Sequence, residues 1–144
     1  MDKIDRKILA RLQKDADITN AALADEVNLA PSSCLRRVQR LKREGVIKKK
    51  ICILDQKKMG RTLKAIVEID LDRHGTEPQL SFLARIKQEE NITHAYSITG
   101  ASDILLILTL KDMEEYEGIC ERLFNQERNV VRFRTSFVMG TLKD

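Results

Sequence analysis

The sequence predicts an α+β chain in two parts, a winged helix-turn-helix over residues 1–60 and a βαββαβ, ferredoxin-like α/β sandwich over residues 61–144. Three observations predict it. Residues 19–43 read as two short helices around a tight turn, the second rich in arginine; after Gly60 the apolar residues begin to alternate as strands do; and charge is divided between the halves. Residues 1–60 carry 15 Lys+Arg against 8 Asp+Glu, net +7, whereas residues 61–144 carry 11 against 14, net −3. At 144 residues the chain suits one ordinary domain or two small ones, and a chain divided in two gains from oligomerisation.

Asp2 to Lys14 reads as a first helix with Ile4, Ile8, Leu9 and Leu12 inward. Thr19 suits the N-cap of the second, with Ile18 and Leu23 as a hydrophobic staple, Val27 inward, and VNLA as the turn. Pro31 opens the third helix, where a missing N–H costs nothing, and Gly45 stands where a left-handed residue closes one. Wound at 3.6 residues per turn, this helix places Cys34, Leu35, Val38 and Leu41 on a packing side. Ser32, Ser33, Arg36, Gln39, Arg40 and Arg43 fall on the opposite side, with Arg37 at the border. Residues 32–43 hold four arginines and no acidic residue, and such a face repels itself unless something anionic meets it. Residues 46–55, VIKKKICILD, read as two short strands around Lys48 to Lys50, a basic wing.

A basic half built on a helix-turn-helix points to double-stranded DNA, with a palindromic site for a symmetric assembly. Arg36 and Arg40 are expected at base edges, and Lys49 at phosphate. Ser32, Ser33, Arg37, Gln39 and Arg43 complete the expected interface.

After a connector to Gly60, residues 63–71 read as a strand, and residues 77–89 as a helix with Leu80, Leu83 and Ile86 at helical spacing. Residues 92–99 read as a half-buried strand and residues 103–110, almost wholly apolar, as a central one. A helix over 112–126 has Asp112 as N-cap and Tyr116, Ile119, Cys120 and Leu123 inward; a last strand covers 130–139. Two helices on one sheet face leave the other to be covered, for which a second copy is the natural solution.

Other classes find little support. Cys34, Cys52 and Cys120 are odd in number and far apart, and His74 and His94 are isolated, so neither a disulfide framework nor a metal site is expected. No catalytic motif or cofactor-binding loop is present, no run reaches the length of a membrane span, and the first residues lack an apolar signal region. A cytoplasmic protein, neither an enzyme nor membrane-bound, is expected.

Residues IDRKILARLQKDADIT, LAPSSCLRRVQRLKREGVI, TGASDILL and VVRFRTSFV together resemble the leucine-responsive/asparagine-responsive (Lrp/AsnC, feast/famine) transcription regulators over essentially the whole chain. The resemblance implies an N-terminal DNA-binding domain and a C-terminal domain that dimerises through its sheet, assembles to tetramers or octamers, and binds a small effector, usually an amino acid. It also implies an effector site between subunits near the loop joining the second and third strands, here Thr99, Gly100, Ala101, Ser102 and Asp103; Thr135 or Ser136 is expected to line its far side. A zwitterion needs both charges matched, by turn N–H groups for its carboxylate and by Asp103 for its ammonium. The family pattern Gly-Asp-aromatic-Asp-Tyr is altered at Ala101, Ser102 and Ile104, which favours an apolar or sulfur-containing ligand. The same residues also suit a plain hairpin turn with Asp103 capping the next strand. The function expected is a sequence-specific, effector-controlled transcription regulator. The alternative is an architectural, nucleoid-type protein that wraps DNA without ligand input.

Overall fold

In the computed structural model, which describes residues 1–72 and 77–143 and leaves out the side chain of Pro78, Asp2 opens helix α1 (Lys3–Lys14). His74 lies outside the described residues. Asp2 and Asp5 cap one another reciprocally, each carboxylate accepting the other's backbone N–H, at 2.8 and 3.0 Å. Thr19 caps α2 (Asn20–Glu26) by accepting from the Ala22 N–H. The turn into α3 (Pro31–Arg43) passes through Asn28 at φ 54°, a left-handed conformation that asparagine tolerates better than most residues. Gly45, at φ 73°, ends α3.

The three helices close on Ile8, Leu23, Ala24, Val27, Cys34 and Leu41, with Ile4, Leu9, Leu12, Ile18 and Val38 at the margin. Leu35 departs from expectation: it is 45% exposed, because it sits a further 100° round the helix from Cys34 and misses the seam. The expected wing strands are also absent, since residues 46–55 pair with no strand. Three adjacent like charges and so short a span offer a two-stranded ribbon little to stabilise it, and Lys50 instead donates to the Ala16 carbonyl at 2.6 Å.

Two compact units divide at residues 53 and 54, Met1–Ile53 and Leu54–Asp144. The second contains β1 (Leu63–Leu71), α4 (Glu77–Gln88), β2 (Ile92–Ser97), β3 (Ile104–Leu110), α5 (Met113–Ile119) and β4 (Val130–Phe137). The strands form one antiparallel sheet in the order β2-β3-β1-β4. This is the ferredoxin-like arrangement.

Period-two alternation then sorts the residues. Ala65, Val67, Ile69 and Leu71 of β1 and Ile104, Leu106, Leu108 and Leu110 of β3 are buried beneath Phe82, Ile86, Ile119, Leu123 and Phe124. Ile66, Glu68, Asp70, Leu105 and Ile107 face the other way and stay half-buried. In α4 the buried positions are Phe82 and Ile86, while Leu80 is 57% exposed, correcting the helical face assigned to it. Helix α5 runs into a π-helical turn, Cys120–Asn125, that periodicity did not announce. Among the described residues no helix is long and apolar enough to cross a membrane, and no group of three or more His, Cys, Asp and Glu is placed to hold a metal ion.

Candidate functional site

Helix α3 borders a shallow groove of about 540 Å³ lined by Leu29, Ser33, Arg36, Arg37, Gln39, Arg40 and Arg43. Six of these residues belong to the expected interface. Ser32 and Lys49 are exposed but stand outside the lining. Ala30 supplies no side-chain cap, and its carbonyl receives the Ser33 and Cys34 N–H groups.

The arginines separate into two kinds. Arg37 donates from Nη1 to Asp2 Oδ2 at 2.6 Å and to Asp5 Oδ1 at 2.9 Å, and Arg40 donates from Nη2 to Asp5 Oδ2 at 2.6 Å. Asp5 is 1% exposed. Thus the anion that this face required is partly supplied from inside the fold, by α1. Arg40, expected at a base edge, lines the groove with 39% of its side chain exposed, while its Nη2 is bonded to a buried carboxylate. Arg36 and Arg43 remain exposed with no carboxylate partner among the described residues, and Arg36 makes only a 3.5 Å contact with Ser33 Oγ. The Asp5 N–H, then Arg37, bring the Asp2 pKa down to about 2. Asp5 is lowered as well, by the Asp2 N–H first and then by Arg37, against the opposing effect of burial. Both acids are ionised near neutrality.

In the second unit, the loop between β2 and β3 turns at Gly100, whose φ of 131° favours glycine. Thr99, Gly100 and Ala101 are exposed, and Ser102 is buried. Asp103 accepts the Leu71 N–H at Oδ2, 2.7 Å, while its own N–H and carbonyl bond to Ile69 and Ile98. One of its oxygens therefore fastens the loop to the end of β1.

Beside the loop, on the sheet face away from the helices, lies a polar cluster that sequence patterning did not find. Arg132 bonds Asp70 through Nε and Nη2 at 3.0 and 2.7 Å, and Arg134 donates to Ser102 Oγ at 2.6 Å. Arg132 chiefly, helped by Ser102, lowers the Asp70 pKa. The alternation of β4 signalled that Arg132 and Arg134 share a face; only the β1 register, Asp70 opposite Arg132 and Glu68 opposite Arg134, shows what they meet. Thr135 requires correction, since it points into the helix side, where it accepts from the Tyr116 hydroxyl at 2.7 Å. It cannot line a pocket together with Ser136, its neighbour on the opposite face.

Two family models match this geometry in sequence. A winged helix-turn-helix DNA-binding model covers residues 1–48, and the Lrp/AsnC ligand-binding domain model covers residues 64–144. The chain belongs to the Lrp/AsnC family. It is a DNA-binding transcription regulator whose second half is the ligand-binding domain of that family. Along 143 residues this Lrp/AsnC chain is 36% identical to the transcriptional regulator AzlB of Bacillus subtilis, covering 99% of this chain and 91% of that protein. It is 33% identical to the DNA-binding transcriptional activator DecR of Escherichia coli, covering 99% and 94%. Among solved structures, a transcriptional regulator of Neisseria meningitidis in complex with L-Met superposes with a TM-score of 0.95 at 27% identity, covering 100% of this chain and 93% of that one. A feast or famine regulatory protein of M. tuberculosis complexed with L-methionine gives 0.89 at 25% identity, covering 99% and 95%.

Proposed function

We propose that α3 enters the major groove with Arg36, Gln39 and Arg43 leading, and that an amino acid with an apolar or sulfur-containing side chain controls the regulator through the 99–103 loop. The observation that carries the first part is the division of the arginines of α3: among the described residues, no carboxylate holds Arg36 or Arg43, whereas Arg37 and Arg40 are held by Asp2 and Asp5. Replacing Arg36 by Ala is expected to cost about 1–3 kcal/mol at the preferred site and to relax preference at one base pair. Selection from a random duplex pool by the wild type and by Arg36→Ala checks this; an unchanged preference would put Arg36 on the wrong side of the helix. Lys49 is assigned to phosphate, where its loss weakens all sequences alike.

Two relatives of this fold were solved with L-methionine, and the loop here has lost the acid and aromatics of the common pattern, so methionine is the ligand to test first. Its carboxylate suits the guanidinium of Arg134 or the N–H groups of Gly100 and Ala101, and its ammonium suits Asp103, with Ser136 on the open face nearby. Calorimetric titration with L-methionine is expected to show saturable binding, weakened at least tenfold in Asp103→Asn. Unaltered affinity in that variant would reduce Asp103 to its strand-end bond with Leu71.

The open sheet face, with Ile66, Leu105 and Ile107 half-buried at its centre, favours a partner copy. Sedimentation of the full chain at micromolar concentration should then give a dimer or larger; a monomer would contradict it. Nothing in the chemistry of either site calls for catalysis, a cofactor or a metal, and the reading adopted is a regulator and not an enzyme. A cytoplasmic location follows from DNA as the partner.

A further inference from the structure

Non-specific DNA binding is made of Lys and Arg contacts with phosphate, which carry no sequence information. A helix bearing four arginines on one polar side is therefore at risk of binding any duplex. Here two of the four are restrained. Arg37 and Arg40 point their N–H groups at Asp2 and Asp5, with 27% and 39% of their side chains exposed. The acids are also held by the reciprocal cap of α1, each accepting the other's backbone N–H. Asp5 is the hub. Its Oδ1 receives Arg37, and its Oδ2 receives both Arg40 and the Asp2 N–H. A phosphate approaching Arg37 or Arg40 must compete with a carboxylate already in place at 2.6 Å.

We propose that Asp2 and Asp5 are specificity-determining residues: they hold Arg37 and Arg40 back from the phosphate backbone, so that discrimination rests on Arg36, Gln39 and Arg43. This inference rests on the reading that α3 meets DNA. It differs from a purely structural role, in which the same ion pairs do no more than staple α1 to α3 and their loss weakens every complex alike.

The variant that separates these is Asp2→Asn in the full-length chain. Asparagine is as good an N-cap as aspartate, so the bond from the Asp5 N–H survives, while the charge and the oxygen that accept Arg37 at Asp2 are lost and Arg37 keeps only Asp5. Binding is measured by fluorescence anisotropy to two duplexes, one selected by the wild type from a random pool and one of scrambled sequence, over about 50 to 200 mM salt. Asp17→Asn, which removes an equal charge from the exposed turn before α2, is the control.

For Asp2→Asn the scrambled duplex should bind about threefold tighter per protomer engaged, with the salt slope steeper by about 0.9 for each new phosphate contact. The selected duplex should gain less, and the ratio of selected to scrambled affinity should fall at least threefold. Asp17→Asn should leave that ratio unchanged, and adding Arg37→Gln to Asp2→Asn should restore it. Asp5→Asn, which removes the charge shared by Arg37 and Arg40 and leaves Arg37 bonded to Asp2 alone, should lower the ratio as well where circular dichroism shows the variant folded. An unchanged ratio for Asp2→Asn overturns the proposal, as does uniform weakening with an unchanged slope. If Arg36→Ala also leaves both duplexes unaffected, it is the placement of α3 on DNA that has failed, and not merely the role of the acids.

Discussion

Replacing Asp5 by Ala is expected to destabilise the N-terminal unit by about 3 kcal/mol, the lower end of the range for removing one partner of a buried ion pair. The lower end applies because the two guanidiniums left behind are 27% and 39% exposed and regain water, whereas the carboxylate itself is 1% exposed. The same change removes the acceptor of the Asp2 N–H, so the first turn of α1 also frays. A small unit has little stability to spare. Hydrogen exchange read by mass spectrometry on peptides from residues 1–53 should show the loss, and wild-type protection in α1 and α3 would contradict it. Acid provides an independent check. The folded-state values of Asp2 and Asp5 lie below their ordinary value of 3.8, so the stability that these groups contribute is complete above that pH. The part due to Asp2 disappears as pH falls through about 2, its folded-state value, and the part due to Asp5 as pH falls through its own lowered value. Wild-type protection in α1 should therefore decline over this interval, and the decline should be smaller in Asp5→Ala.

The second large effect is expected at Phe124. This ring is 1% exposed and packs at 5.0 Å between centroids, tilted by 45°, against Phe133 of β4. It lies in the π-helical turn, where the wider winding brings Leu123 and Phe124 into the core together. Truncation to Ala removes the ring from a packed interior and should cost about 3–5 kcal/mol. The consequence reaches the ligand-binding half, because β4 carries both Phe133 on its inner face and the Arg132–Arg134 cluster on its outer one. Urea unfolding followed by circular dichroism, with exchange read on peptides spanning residues 104–137, measures it. A loss below about 1 kcal/mol would mean that the neighbouring side chains close the cavity, which close-packed interiors seldom do.

How much of this was legible in the chain depends on the range of the forces involved. Thr19, Pro31 and Gly45 mark helix ends through bonds within a few residues, the alternation of β1 reports burial on one face, and the apolar run of β3 reports a central strand; each is a local signal. Sequence by itself therefore determined the three helices of the first half, the βαββαβ order of the second, the two-part division of charge, and α3 as the basic helix. Local signals mislead where burial is partial, as at Leu35 and Leu80, which lie near the edge of an apolar stripe and are left outside by the neighbouring helix or sheet. They also mislead at residues 46–55, whose strand-like composition finds no partner strand.

Tertiary structure decided which groups meet across long separations. Arg40 and Asp5 are 35 residues apart and Arg132 and Asp70 are 62 apart, and no periodicity encodes either pairing. On a helical wheel all the arginines of α3 look free, yet the packing of α1 against α3 places two carboxylates on Arg37 and Arg40 and leaves Arg36 and Arg43 exposed. In the same way the one-residue alternation of β4 puts Thr135 against Tyr116 and Ser136 on the open face. The physical reason is common to both: residue type and spacing set which side of an element is polar, but the charge a side chain still offers to a ligand depends on the partner that the fold has already placed against it.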